Sequence, residues 1–140
     1  MKQWIRGLRG LVGLLAITAS MQTRAVDPGA ALGPAITVSS SDSAFRQQPA
    51  IARNDSGQAV VAWLVNAGLQ SEIRARRLGA EGMPVGDEIL VASTGSFAAQ
   101  SLRDQPVVGI DGQGGFVVAW TDSTSRDRVR ARRYASDGSP

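Results

Sequence analysis

Apolar residues in this chain fall into short runs broken by glycine, and two of those runs are nearly the same. Residues 48–63 read QPAIARNDSGQAVVAW and residues 105–120 read QPVVGIDGQGGFVVAW, at a constant offset of 57 residues. Gln48-Pro49 becomes Gln105-Pro106, the turn glycine Gly57 becomes Gly114, and the apolar run ending in Trp63 becomes the run ending in Trp120. Short runs of β-branched and apolar residues bounded by Asn, Asp and Gly predict strands joined by hairpin turns. Their repetition predicts a repeat architecture.

In the first copy the pattern predicts a strand over residues 49–53, where proline is tolerated because it opens the strand. A turn over 54–57 follows, whose Asn, Asp and Gly accept local hydrogen bonds and positive φ. The second strand, 58–65, does not alternate: Val60, Val61, Ala62, Trp63, Leu64 and Val65 are all apolar. Such a strand must be covered on both faces, so it is expected centrally in a sheet stacked between two others. Residues 66–71 are predicted to be a loop. A third strand over 72–78 places Ile73 and Ala75 on one face and Arg74 and Arg76 on the other. After a turn at Glu81-Gly82, a fourth strand is predicted over 87–92. The second copy repeats this order through its third strand, 128–134, and the turn at Gly138. Upstream, residues 33–39 match 86–92 at an offset of 53, which predicts a further strand of the fourth type. The polar runs 40–47 and 93–104 are predicted loops.

The expected fold class is therefore all-β: four-stranded antiparallel blade repeats, about two β-propeller-type blades, forming part of a larger propeller. Four strands per unit with a doubly covered second strand fit a blade, whereas sandwich strands bury one face and alternate. The organisation is a leader-bearing chain: 1–25, then 26–32, then two repeats over 33–140. The unit 48–92 is full and the unit 105–140 lacks its last strand. The strand of residues 33–39 could complete the sheet begun by residues 128–134. The sequence is expected to be the N-terminal fragment of a longer protein, the alternative being several copies that close one ring. The repeat positions that define the unit are Pro49, Gly57, Trp63, Arg77 and Gly82, and again Pro106, Gly114, Trp120, Arg133 and Gly138.

The motif order resembles the short β-propeller-like repeats of secreted bacterial proteins, which often stand beside hemolysin-type calcium-binding and adhesion modules. The matching residues are Pro106-Val107-Val108, Asp111-Gly112, Gly115-Phe116-Val117-Val118-Ala119-Trp120 and Val129-Arg130-Ala131-Arg132-Arg133-Tyr134. The chain departs from that pattern in having few repeats and in Gln58-Ala59, where the family has Gly-Phe. The resemblance implies a fold and secretion rather than an activity.

Residues 1–25 have the three parts of a secretory signal peptide. Lys2, Arg6 and Arg9 precede the apolar run 11–17, and Thr23-Arg24-Ala25 offers a small-x-small cleavage site. The run is far shorter than the ~20 residues that span a bilayer, and an uncleaved amphipathic anchor is the rival reading. The expected location is secreted, periplasmic or at the cell surface.

Composition narrows the chemistry. The 140 residues include no cysteine and no histidine, which removes disulfides, thiolate nucleophiles, Ser-His pairs and the usual zinc ligands. The net charge of +3 is concentrated in the leader: Lys2, Arg6, Arg9 and Arg24 account for four of the 15 basic residues. The remainder is close to neutral, so nucleic acid is not an expected partner. No cofactor and no metal are expected, because each Asp-Gly turn supplies too few ligands for calcium. The runs Arg74-Ala75-Arg76-Arg77 and Arg130-Ala131-Arg132-Arg133 are the most insistent charged feature. Arg74, Arg76, Arg130 and Arg132 are weak candidates for binding an anionic glycan; otherwise they form an outer, solvated face. Arg77 and Arg133 are expected to point inward, where each needs a carboxylate or several carbonyls, with Asp55 and Asp111 as candidate partners. Trp63 and Trp120 are sugar-stacking candidates, but their position on the most buried strand favours core packing.

These observations support a non-enzymatic scaffold or binding module with a protein or glycan partner. The alternative is a small lectin that oligomerises to close a propeller. A carboxylate-dependent hydrolase stands third, with no acid–base pair to name. Mass spectrometry of protein recovered from the periplasm or medium is expected to show a chain lacking residues 1 to about 25. An intact N-terminus in the cytoplasm would contradict the signal-peptide reading.

Overall fold

The computed structural model describes residues 33–40, 44–67, 70–94, 105–123 and 128–140; residues 1–32, expected to be a signal peptide and leader, lie outside the described residues. Seven strands form: β1 (Phe45–Arg53), β2 (Ala59–Ala67), β3 (Gln70–Leu78), β4 (Pro84–Ser93), β5 (Val107–Ile110), β6 (Phe116–Asp122) and β7 (Arg128–Tyr134). They build a four-stranded antiparallel sheet, β1-β2-β3-β4, and a three-stranded one, β5-β6-β7, each in sequence order. The described residues contain no helix. None is therefore long and apolar enough to cross a membrane.

Four turns share one geometry. In the first, Gly57 N donates to Asn54 O and Asn54 N donates to Gln58 O, both at 3.0 Å. Gly114 with Asp111, Gly82 with Gly79, and Gly138 with Ala135 repeat the same pair of bonds. The glycine in each has φ between 79° and 91°, the left-handed conformation that closes a type I turn with a one-residue bulge. A side chain there would be strained, so the glycine spacing sets the hairpin register.

Cross-strand pairing fixes which residues share a face. In the four-stranded sheet Leu64 lies opposite Ile73, and Ala62 opposite Ala75, which in turn faces Ile89. In the three-stranded sheet Val118 lies opposite Val108, and Phe116 opposite both Ile110 and Tyr134. These two faces meet in one hydrophobic core, where Val60, Leu64, Ile73, Ala75 and Val91 pack with Phe116, Val118, Trp120 and Tyr134. Phe116 and Tyr134 stack with ring centroids 4.8 Å apart.

The two copies do not contribute the same face. At the offset of 57, Val60, Ala62 and Leu64 correspond to Val117, Ala119 and Thr121, whereas Phe116, Val118 and Trp120 correspond to Ala59, Val61 and Trp63. The sheets are thus packed front to back. Among the described residues, hydrogen bonds across the gap join them. Asn54 Nδ2 donates to Asp111 O at 3.0 Å and Gln105 Nε2 to Pro49 O at 2.9 Å. Arg77 Nη1 donates to Ser136 O at 2.5 Å and Arg132 Nη1 to Val91 O at 2.8 Å. The backbones of the two sheets come closest where β5 lies beside β1 and β2.

The expectation of a β2 covered on both faces holds: Val60, Ala62, Trp63, Leu64 and Val65 are all buried. Other boundaries differ. β1 begins at Phe45, inside the run expected to be a loop, and carries Pro49 within it rather than at its start. Gln48 has φ of 54° and the pairing register shifts between Gln47 and Ala50. The edge position and the bulge together accommodate a residue with no N–H. The expected loop 66–71 shrinks because β2 and β3 extend into it.

Residues 33–39 form no strand. Residues 36–39 lie instead over the outer face of the four-stranded sheet, beside Val61 and Trp63, where no partner strand runs. The outer face of the three-stranded sheet, which is the other side of the repeat, is uncovered among the described residues, with Val107, Val117 and Val129 exposed to 66%, 41% and 81%.

Both repeat tryptophans are buried, Trp63 under residues 36–39 and Trp120 between the sheets. Trp120→Ala is expected to destabilise the fold by about 3–5 kcal/mol, measured as a shift in the urea unfolding midpoint. A loss below about 1 kcal/mol would contradict its core role.

Candidate functional site

Among the described residues, arginine lines two grooves that each hold one of the repeat tryptophans, and period-2 pairing places the candidate arginines. Arg74 lies across from Trp63, and Arg130 across from Trp120. Arg76 and Arg132 stand two residues further along the same faces. The first groove, about 340 Å³, is bounded by Leu90, Val91, Ala92, Ser93, Thr94, Trp120, Asp122, Arg130 and Arg132. The second, about 450 Å³, is bounded by residues 36–39 with Arg46, Gln47, Pro49, Val61 and Trp63.

The four candidate arginines are already engaged. Arg74 Nε contacts Glu72 Oε2 at 2.7 Å and its Nη1 contacts Glu88 Oε2 at 2.8 Å. Arg130 Nε pairs with Asp122 Oδ2 at 2.5 Å. Arg76 donates from Nε and Nη2 to Gly86 O and from Nη1 to Val38 O at 2.9 Å, and Arg132 donates to Val91 O. The expectation that the four arginines share one outer face is corrected for Arg130 and Arg132, although both remain exposed. Arg130 and Arg132 stand on the side of their sheet that meets the first sheet, because the stacking is front to back. An anion at Arg74 or Arg130 would compete with a carboxylate, and one at Arg76 or Arg132 with a backbone carbonyl.

Arg77 faces between the sheets as parity requires, but its partner is the Ser136 carbonyl rather than Asp55 or Asp111. Asp111 is consumed by its own turn, accepting from the backbone N–H groups of Gln113 and Gly115. Arg133, its repeat counterpart, is exposed, since no sheet covers that face. The partner carboxylates Glu72, Glu88 and Asp122 were missed in the sequence. Glu72 was legible in principle, because residues two apart on a strand share a face. Glu88 was not, because its approach to Arg74 depends on the bulged pairing of β3 with β4.

The electrostatics fit a structural ion pair. Burial opposes ionisation of Glu88, but hydrogen bonds from Arg74 and from the Ser40 amide outweigh it and hold the carboxyl below its ordinary value. Arg74 is correspondingly raised, first by Glu88 and then by Glu72. A carboxylate with a lowered folded value stabilises the protein above its unfolded value, and that contribution is lost as pH falls through the folded one. Such a group is a poor proton donor near neutrality. Among the described residues no group of three or more acidic side chains could hold a metal ion. Asp55 and the Asp111 turn lie at the exposed end of the hairpins.

Compared with family models, with curated proteins and with solved structures, the chain finds no match in any of the three.

Arg77→Ala is expected to cost about 1.5–3 kcal/mol, the scale of a charged hydrogen bond, whereas Arg133→Ala should stay within about 0.5 kcal/mol. Thermal or urea melts of the two variants compare them directly, and equal losses would contradict the unequal environments described.

Proposed function

We propose that the chain is a secreted, non-enzymatic repeat module of the β-propeller kind, with a scaffold or binding role, akin to the propeller-like repeats of secreted bacterial proteins. The observation that carries this reading is the front-to-back stacking of two copies of one sheet. In a sandwich, two sheets turn like faces toward each other and the core closes. Here each sheet presents one face forward and the other back, so the same contact can be made again. The closer approach at β1 and β5 supports blades that narrow toward an axis. The ion pairs of the strand carboxylates and the arginine-to-carbonyl hydrogen bonds support a structural use of charge. Export rests on the three-part N-terminal pattern.

A small lectin is the second reading. The groove beside Trp120 favours it, because an aromatic wall flanked by Asp122 and Arg130 offers both a stacking surface and hydrogen-bonding groups. A glycan array separates the two. The scaffold reading expects no glycan retained above background by the full chain. Retention that is lost in Asp122→Ala, with an unchanged melting temperature, would establish the lectin instead.

A further inference from the structure

We propose that the bare face of the three-stranded sheet and the free edge of β7 dock on a second copy of this chain, whose residues 36–40 add to β7 as a fourth strand. The proposal deepens the repeat-module reading and rests on it.

The argument begins with two matching hydrogen bonds. Arg132 Nη1 donates to Val91 O at 2.8 Å, and Arg76 Nη1 donates to Val38 O at 2.9 Å. Arg76 and Arg132 are repeat counterparts, and so are Val38 and Val91. Residues 36–39 therefore sit on the four-stranded sheet as β4 sits on the three-stranded one. The tryptophans agree: Trp120 shares its groove with Val91 and Ala92, and Trp63 shares its groove with Val38 and Ser39. β4 holds its place as the fourth strand of a sheet, bonded to β3. Residues 36–39 hold the same place with no third strand beside them.

The missing three strands exist in the molecule, but on the wrong side of it. Among the described residues, β7 is the open edge of a sheet with no fourth strand. Its outer face exposes Val117 and Val129, whose counterparts Val60 and Ile73 are 1% and 0% exposed. An unpaired edge beside an apolar face is a pairing site unless something covers it. The four-stranded sheet stands between residues 36–39 and β7, so a chain cannot satisfy its own edge. A second copy can, because it carries the surface that the first sheet already uses.

Register follows from the pairing of β3 with β4, where Glu72 meets Ser93, Ile73 meets Ala92, Arg74 meets Leu90 and Ala75 meets Ile89. Carried over to the counterparts, Arg128 meets Ser40, Val129 meets Ser39, Arg130 meets Thr37 and Ala131 meets Ile36. Arg133 then reaches the Ala80 carbonyl of the second copy, as Arg77 reaches that of Ser136. The contact is head-to-tail, which closes into a ring when its rotation permits. With two sheets per chain and propellers of about 4–8 blades, two to four copies would close it.

The absence of cysteine makes the test clean. Full-length Ser39→Cys and Val129→Cys chains are purified separately, mixed and oxidised, and non-reducing gels and light scattering are read. Disulfide-linked dimers are expected in the mixture and not in either variant alone, with two to four chains per particle in the unmodified protein. Val117→Asp should reduce the particle to a folded monomer. A control mixture of Ser39→Cys with Asp55→Cys should not link. A folded monomer, or equal linking in the control, overturns the proposal and leaves the repeat-module reading standing. Loss of the β-sheet signal in circular dichroism of the unmodified chain overturns both.

Discussion

The structure depends on one constraint: β2 is apolar on both faces, so neither face can be left to water. A half-buried strand would need a single partner layer, and two sheets turned toward each other would complete the fold. With Val60, Ala62 and Leu64 on one side and Val61, Trp63 and Val65 on the other, a single layer is not enough. The second copy of the repeat covers the first side, and residues 36–39 cover part of the second. Burying an apolar side chain of this size is worth about 1.5–3 kcal/mol, so the requirement outweighs any single polar contact.

Polar groups then set how the layers are aligned. The hydrogen bonds between the sheets link turn to turn, strand start to strand start, and arginine to backbone carbonyl. The first two join equivalent or adjacent places in the repeat, while the arginine bonds run from a third strand to a turn or fourth strand of the other sheet, so the second sheet is held in step with the first. The arginine runs serve this alignment. A guanidinium can span the gap to a carbonyl that no short side chain reaches, while its stem packs on apolar surface. The same arginines are less available as a basic stripe for an external anion. Arg74, which must lie beside Trp63, is neutralised by Glu72 and Glu88, and Arg130, beside Trp120, by Asp122. The repeat keeps the cation and changes the residue that balances it.

Front-to-back packing also explains why the two copies differ in exposure despite similar sequence. Val117 and Val129 hold positions that are fully buried in the first copy, and Arg133 holds the position at which Arg77 finds a carbonyl. The difference lies in what stands next in the stack. One contact joins the two sheets, and the face of the three-stranded sheet that matches the covered face of the first is exposed among the described residues.

Much of this was legible in the residues. Glycine spacing determined the hairpins, since only glycine takes the left-handed turn position without strain. Lack of alternation in residues 60–65 determined that the sheet is covered on both sides, because a strand's side chains alternate with a period of two. Strand parity determined that Arg77 faces inward. Three things were decided by tertiary structure alone. Which sheet face meets which is a property of the packing operator, and sequence parity is blind to it; Arg130 and Arg132 were placed on the wrong side for that reason. The partner of Arg77 is a backbone carbonyl, and every residue carries one, so no sequence pattern marks Ser136. Residues 33–39 carry the signature of a fourth strand, yet a strand exists only through hydrogen bonds to a neighbour. Their pattern determined where they lie, and the absence of a third strand beside them decided that they form no ladder.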